Sequence, residues 1–196
     1  MYYLGIDGGL AGYLALIDDK SNVIGSWPMP LDKRRKFDPR GVWDLFQKIE
    51  GIAVEQFEDV TVGLEGLLSL PSDTNRTKLL LDKYAENHSK ETLAEIYKNL
   101  KRTDGRKGSV TMGSNHGALI GCLCAMGWKY VIPSPRSWQS VMWKCCSSKG
   151  PAKMKSYEVA QMLWPKEDLC TGKRQGFNDG KVDALCVAEY TRRLLK

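Results

Sequence analysis

The sequence predicts an α/β protein built on a mixed five-stranded sheet flanked by helices. Two observations carry that expectation. The chain opens with three apolar segments, 2–6, 13–17 and about 23–27, joined by short turns, which is the pattern of an antiparallel meander. Two further apolar segments, 60–65 and 128–132, each follow a helix-like stretch, the spacing of parallel strands reached by crossover helices.

The totals bound the class. With 196 residues, 42% hydrophobic and 27% charged, the chain is long enough for one globular domain with a real core. No apolar run reaches the length of a membrane span. A strand beginning at residue 2 leaves no room for a leader, so a cytoplasmic protein is expected. The net charge of +6 is compatible with an anionic partner such as nucleic acid. Six cysteines form no C-x-x-C pair and only two histidines accompany them. A zinc site is therefore not expected, and reduced structural thiols are.

The elements follow in order. Tyr2–Ile6 is a buried strand that ends on Asp7, with Gly8, Gly9 and Gly12 in the turn before Tyr13–Ile17. A third strand near Val23–Trp27 is stopped by Pro28 and Pro30. The run Lys33-Arg34-Arg35-Lys36 lies in the next loop, as a solvated tip or as a phosphate contact. Asp38-Pro39 reads as an N-cap with proline at the first helical position. The helix it opens extends to about Phe57 and carries Val42, Leu45, Phe46 and Ile49 on one face. The strand from Val60 ends on Glu65, again a carboxylate followed by glycine.

From about 71 to 113 the chain is polar, and it reads as a helical insertion into the single domain, with helical composition over 77–102. Gly117–Met126 is a helix of small and apolar residues, Trp128–Ile132 a strand, and Pro135 opens a short helix. Lys153–Trp164 is a further helix, stopped at Pro165. Residues 136–174 carry eight Lys or Arg against three acids, so most of the excess charge lies there. The last helix, about Asp179–Leu194, places Asp179 and Asp183 four residues apart on one face, at the rim of a core-facing stripe.

Taken singly, each acid has an ordinary explanation. Asp7 suits a turn, Asp179 an N-cap, Glu65 an ion pair, and paired acids the start of a helix. Together they point elsewhere. A carboxylate at the end of a buried strand is costly unless a cation meets it, and here it occurs twice before a helix that opens Asp-x-x-x-Asp. Divalent cations offset such repulsion, and Mg²⁺ takes hard oxygen ligands and shares phosphate oxygens. Two such ions activate a water and stabilise the leaving oxygen of a phosphodiester.

The order meander–Asp, helix, strand–Glu, helix, strand, helix, helix–Asp resembles the ribonuclease H-like fold. In detail the chain resembles the RuvC-type Holliday-junction resolvases, in their phage and plant-organellar branch. The stretches that carry the resemblance are Gly5–Gly12, Leu64-Glu65, Gly117–Gly127, Pro133–Trp138, Lys155-Ser156, Leu163-Trp164-Pro165 and Asn178–Leu185, the last being the most specific. They span most of the chain outside 71–113. The resemblance implies a crossover junction endodeoxyribonuclease of DNA recombination and repair. It implies a homodimer on a four-way junction, with two Mg²⁺ or Mn²⁺ ions per site, nicking paired strands. Asp7, Glu65, Asp179 and Asp183 then serve as catalytic and metal-binding residues. Lys155 falls where the family has a basic residue near the scissile phosphate. Leu68, Arg136, Lys149, Lys153, Lys173, Arg174, Lys101, Arg102, Arg106 and Lys107 are the further candidates for DNA contact. Two departures stand out: Gln139 is nearest to where the family often has lysine, and Leu68 replaces the aromatic wedge of bacterial members.

Other classes compete. A ribonuclease H-like nuclease acting on structured RNA shares the same acids. Ile6-Asp7-Gly8-Gly9 is also similar to the phosphate turn of sugar kinases and acetate-kinase-like ATPases, but those need two such domains, more than 196 residues supply. A junction-binding protein without catalysis is disfavoured by the complete acid set.

Overall fold

Two-residue alternation sorts the first strand onto two faces. Leu4 and Ile6 enter a core of large side chains, whereas Tyr3 enters the core on the opposite side. Both faces are buried, so the strand reads as continuously apolar. The computed structural model describes residues 1–67, 105–146, 150–170 and 176–195, with side chains from 110 onward in the second stretch.

The strands are β1 (Tyr2–Ile6), β2 (Tyr13–Ile17), β3 (Val23–Pro28), β4 (Val60–Leu64) and β5 (Lys129–Val131). The helices are α1 (Pro39–Glu55), α2 (Gly105–Met126), α3 (Pro135–Met142), α4 (Ala152–Leu163) and α5 (Asp179–Leu194), with a 3-10 turn at Trp143–Cys145. The five strands form one sheet in the order β3-β2-β1-β4-β5. β1 pairs antiparallel with β2 and parallel with β4, and β5 is parallel to β4. The expected α/β class and mixed five-stranded sheet are therefore present.

Helix α1 starts where the Asp38 side chain accepts a hydrogen bond from the Arg40 amide at 3.1 Å and Pro39 supplies a preset φ. Its buried face, Val42, Leu45, Phe46 and Ile49, packs with Leu119 and Leu123 of α2 on Leu4, Ile6, Leu14, Leu16, Val62 and Leu64. The other sheet face, including Tyr3, Ala15 and Ile17, packs against α5 residues Val182, Ala184, Leu185 and Ala188.

The chain divides into two units, Met1–Gly66 with Asn115–Lys196, and Leu67–Ser114. The expected helical composition over 77–102 lies outside the described residues. One boundary differs plainly from expectation: α2 begins at Gly105, not near Gly117. Its early part carries Gly105, Gly108, Gly113 and two β-branched residues, Val110 and Thr111, all of low helix propensity. Residues 110–114 are exposed, so no apolar periodicity marks that part as helix. Among the described residues no helix is long and apolar enough to cross a membrane. All six cysteines are free.

Candidate active site

A row of small residues sets the position of α5. Ala15, Gly5 and Gly63 are register partners across β2, β1 and β4. A Cβ on Gly5 would stand 2.0 Å from the Ala184 carbonyl oxygen and 2.4 Å from the Ala188 amide nitrogen. A Cβ on Gly63 would stand 2.0 Å from Thr191 Oγ1. Helix α5 thus lies on the sheet backbone itself, an approach that only glycine permits there.

The same register delivers two acids side by side. Ile6 pairs with Leu64, and the Glu65 amide donates to the Ile6 carbonyl at 2.9 Å. Asp7 and Glu65 are therefore the next residues on neighbouring parallel strands. By alternation both continue the face of Gly5 and Gly63, the face that α5 covers.

Helix α5 brings the other two. Asn178 takes the N-cap role, its side chain accepting from the Lys181 amide at 3.1 Å, so Asp179 does not act as the cap. A Cβ on Gly180 would meet the Ala11 carbonyl oxygen at 2.5 Å and Asp7 Oδ2 at 3.2 Å. The first turn of α5 therefore sits against the glycine turn that follows Asp7. Asp183 lies one turn further along the same helix.

The electrostatics tie the four together. Burial raises the Asp7 carboxyl above its ordinary range, with the Gly9 amide opposing and Asp179 adding to the shift. Burial also raises Glu65 to about 7, against a hydrogen bond from Trp138 and with help from Asp7 and Asp183. Asp183 is pushed to about 6 by burial, opposed by the Ser156 hydroxyl and reinforced by Asp7 and Asp179. The sole cation bonded to any of the four among the described residues is Lys153, whose ammonium donates to Asp179 Oδ2.

In kind, these donors fit a hard divalent cation: four carboxylates, of which Asp7, Glu65 and Asp183 have ionised forms disfavoured by burial and by neighbouring acids. As the side chains stand, no three Asp, Glu, His or Cys residues among the described ones form a ready ligand group. Asp179 faces Lys153 instead.

The remaining candidates scatter. Arg136 is exposed on the first turn of α3. Lys153, expected at DNA, meets an acid of the cluster. The Lys155 ammonium lies 5.4 Å from the centre of the Trp143 ring. Leu68, Lys101, Arg102, Lys149, Lys173 and Arg174 lie outside the described residues, as do the side chains of Arg106 and Lys107. The Lys33–Lys36 tip is folded rather than loose. Asp32 Oδ1 accepts from the amides of Arg34 and Lys36, both at 2.8 Å, and all four basic side chains are exposed.

The sequence assigned no role at the acids to several of their neighbours. Trp138 Nε1 donates to Glu65 Oε1 at 2.9 Å, and Trp143 Nε1 donates to Ser156 Oγ at 3.3 Å. His116 Nδ1 is buried with no hydrogen-bond partner, unlike any other buried side-chain nitrogen or oxygen among the described residues. It stands 3.9 Å from where a Gly8 Cβ would be. The signal in the sequence was the aromatic content of 138–143, which reads as ordinary core. A cleft of about 550 Å³ lined by Ser21, Trp164, Glu189 and Arg192 lies toward the other end of α5 from the acids. There Glu189 accepts from Ser21, Arg192 and Arg193, a satisfied buried charge.

No family model matches this chain, and no curated protein was found similar to it in sequence.

Proposed function

We propose that the protein is a ribonuclease H-like, metal-dependent endonuclease that resolves four-way DNA junctions by paired nicking. The observation that carries this reading is the convergence of Asp7 and Glu65, at neighbouring strand ends, with the first turn of α5. There a Cβ on Gly180, which lies between Asp179 and Asp183 in sequence, would stand 3.2 Å from Asp7 Oδ2. These acids come from two strand ends and one helix start, far apart in sequence. A sheet of order β3-β2-β1-β4-β5 with β1 at its centre supports the fold assignment.

The four carboxylates would hold Mg²⁺ or Mn²⁺, two ions per site, which when bound supplies activation of water and stabilisation of the leaving oxygen. Asp7, on the central strand, is the most rigidly placed ligand and the natural one to be shared. Glu65 is oriented by Trp138, and Asp183 by Ser156. Lys153 neutralises Asp179 in the ion-free state and stands beside the acids, where a phosphate can also be met. The exposed cations Arg136 and Lys33–Lys36 supply charge for backbone contacts. A four-way junction is two-fold symmetric, so paired nicking calls for a homodimer.

The test is cleavage mapping on an immobile four-way junction with Mg²⁺, with Ca²⁺ and without metal. Symmetric nicks in Mg²⁺ alone are expected. Cleavage of plain duplex or of structured RNA without junction preference refutes the substrate, and no cleavage of any nucleic acid refutes the nuclease.

A further inference from the structure

We infer that Trp138 and Trp143 are positioning residues for the acid cluster, the Trp138 indole N–H holding Glu65 directly and the Trp143 indole N–H holding Asp183 through the Ser156 hydroxyl. This rests on the proposed function, because it assigns these side chains a role toward the ions that the acids would hold.

Trp138 is completely buried, packed with Met142, Val159, Cys186 and Val187. Its ring is locked, and its Nε1 donates to Glu65 at 2.9 Å. Trp143 meets it edge-on, ring centres 6.2 Å apart at 76°. The second contact works through a relay. An indole N–H only donates, so Ser156 Oγ must accept from Trp143. A hydroxyl has a single hydrogen, and that hydrogen is then committed to Asp183, which the Ser156 side chain does bond. Ser156 is 2% exposed, so water does not compete for it. One aromatic pair thus aims one donor at Glu65, just past β4, and the other at Ser156, the partner of Asp183 on α5. It also carries the Lys155 ammonium over its outer ring.

The protein supplies its own control. Trp128 Nε1 donates to Glu50 at 2.6 Å, at the entry to β5, the end of the sheet opposite Glu65. The experiment compares Trp138→Phe, Ser156→Ala and Trp128→Phe. Mn²⁺ affinity is measured by calorimetry, and kcat and KM on a junction by nicking. Trp138→Phe and Ser156→Ala should weaken Mn²⁺ binding about tenfold, the usual size for an outer-shell partner. They should lower kcat with KM for the junction little changed, while Trp128→Phe leaves Mn²⁺ affinity and kcat at wild-type values. Equal effects of Trp138→Phe and Trp128→Phe, or unchanged Mn²⁺ affinity in Trp138→Phe, overturn the inference.

A second measurement does not depend on metal or activity. In ¹⁵N spectra the Trp138 indole signal should move in Glu65→Gln and the Trp143 signal in Asp183→Asn, with Trp128 unmoved in both. Should the wild type bind no Mn²⁺, the nuclease reading fails, and with it a role toward the ions. Unmoved indole signals refute the hydrogen-bond relay independently, even if the wild type binds Mn²⁺ and nicks junctions.

Discussion

Gly5 and Gly63 face each other in the parallel register of β1 and β4, and α5 rests on both, through its backbone at Gly5 and through Val187 and Thr191 at Gly63. That packing decides whether Asp179 and Asp183 reach Asp7 and Glu65.

Alanine at Gly5 would drive a methyl into the Ala184 carbonyl at 2.0 Å. Backbone cannot step aside as a flexible side chain can, so Gly5→Ala should cost more than about 3 kcal/mol. Gly51, exposed inside α1, has nothing within 4 Å of its added Cβ. Gly51→Ala should stabilise by about 0.5–1 kcal/mol. Chemical denaturation of the two variants checks both signs.

The raised acids make stability depend on pH. Folding lifts Glu65 from 4.5 to about 7 and Asp183 from 3.8 to about 6. The native state therefore binds these protons more tightly than the unfolded chain. Stability is full below the ordinary values and declines as pH rises through the folded ones. Between about pH 5 and pH 7.5 the metal-free protein should lose on the order of 4 kcal/mol. Glu65→Gln, which keeps an acceptor for Trp138, should be more stable than wild type at about pH 7.5. Thermal melts across this window, with and without Mg²⁺, read the slope, which saturating Mg²⁺ should flatten.

Asp7→Asn keeps the shape of the turn and removes the charge. Junction binding should persist, since backbone phosphates and surface cations supply most of it. Nicking should fall by more than the roughly 100-fold that removing an outer-shell partner can cost. Gel-shift and cleavage assays on one preparation separate the two, and unchanged nicking would falsify a role for Asp7.

Lys153 occupies Asp179 in the ion-free protein. Lys153→Met removes a competitor for that carboxylate, so Mn²⁺ affinity should rise several-fold. Calorimetry with Mn²⁺ checks this, and weaker binding would mean that Lys153 organises the acids rather than competing for them.

The tip Lys33–Lys36 presents four exposed cations on a turn fixed by Asp32. If they meet phosphates, neutralising them should flatten the plot of log affinity against log salt by about 0.9 for each phosphate no longer neutralised. An unaltered slope returns them to solvent.

Much of this was legible in the sequence, and the reasons are specific. Tyr2–Ile6 and Tyr13–Ile17 are bounded by glycine and acid, and Asp38-Pro39 announces α1. Asp179–Leu194 is readable from Asp-x-x-x-Asp running into an apolar stripe. What escapes is long-range. Nothing local says that Gly5, Ala15 and Gly63 share a row, because strand register is set only when the sheet assembles. The partners of Trp138 and Ser156 are hidden for the same reason. The start of α2 is illegible because residues 110–114 are exposed and leave no apolar pattern to read.

The sheet order has a kinetic meaning. β1 is the middle strand, paired on both edges and covered on both faces, so its amides belong to the part of the molecule that opens last. Asp7 is anchored to that slowest-exchanging segment, whereas Asp179 begins a helix, where fraying is easiest. Hydrogen exchange should therefore find the cluster dismantled from the helix side first. Asp7 would keep its place until the whole domain unfolds.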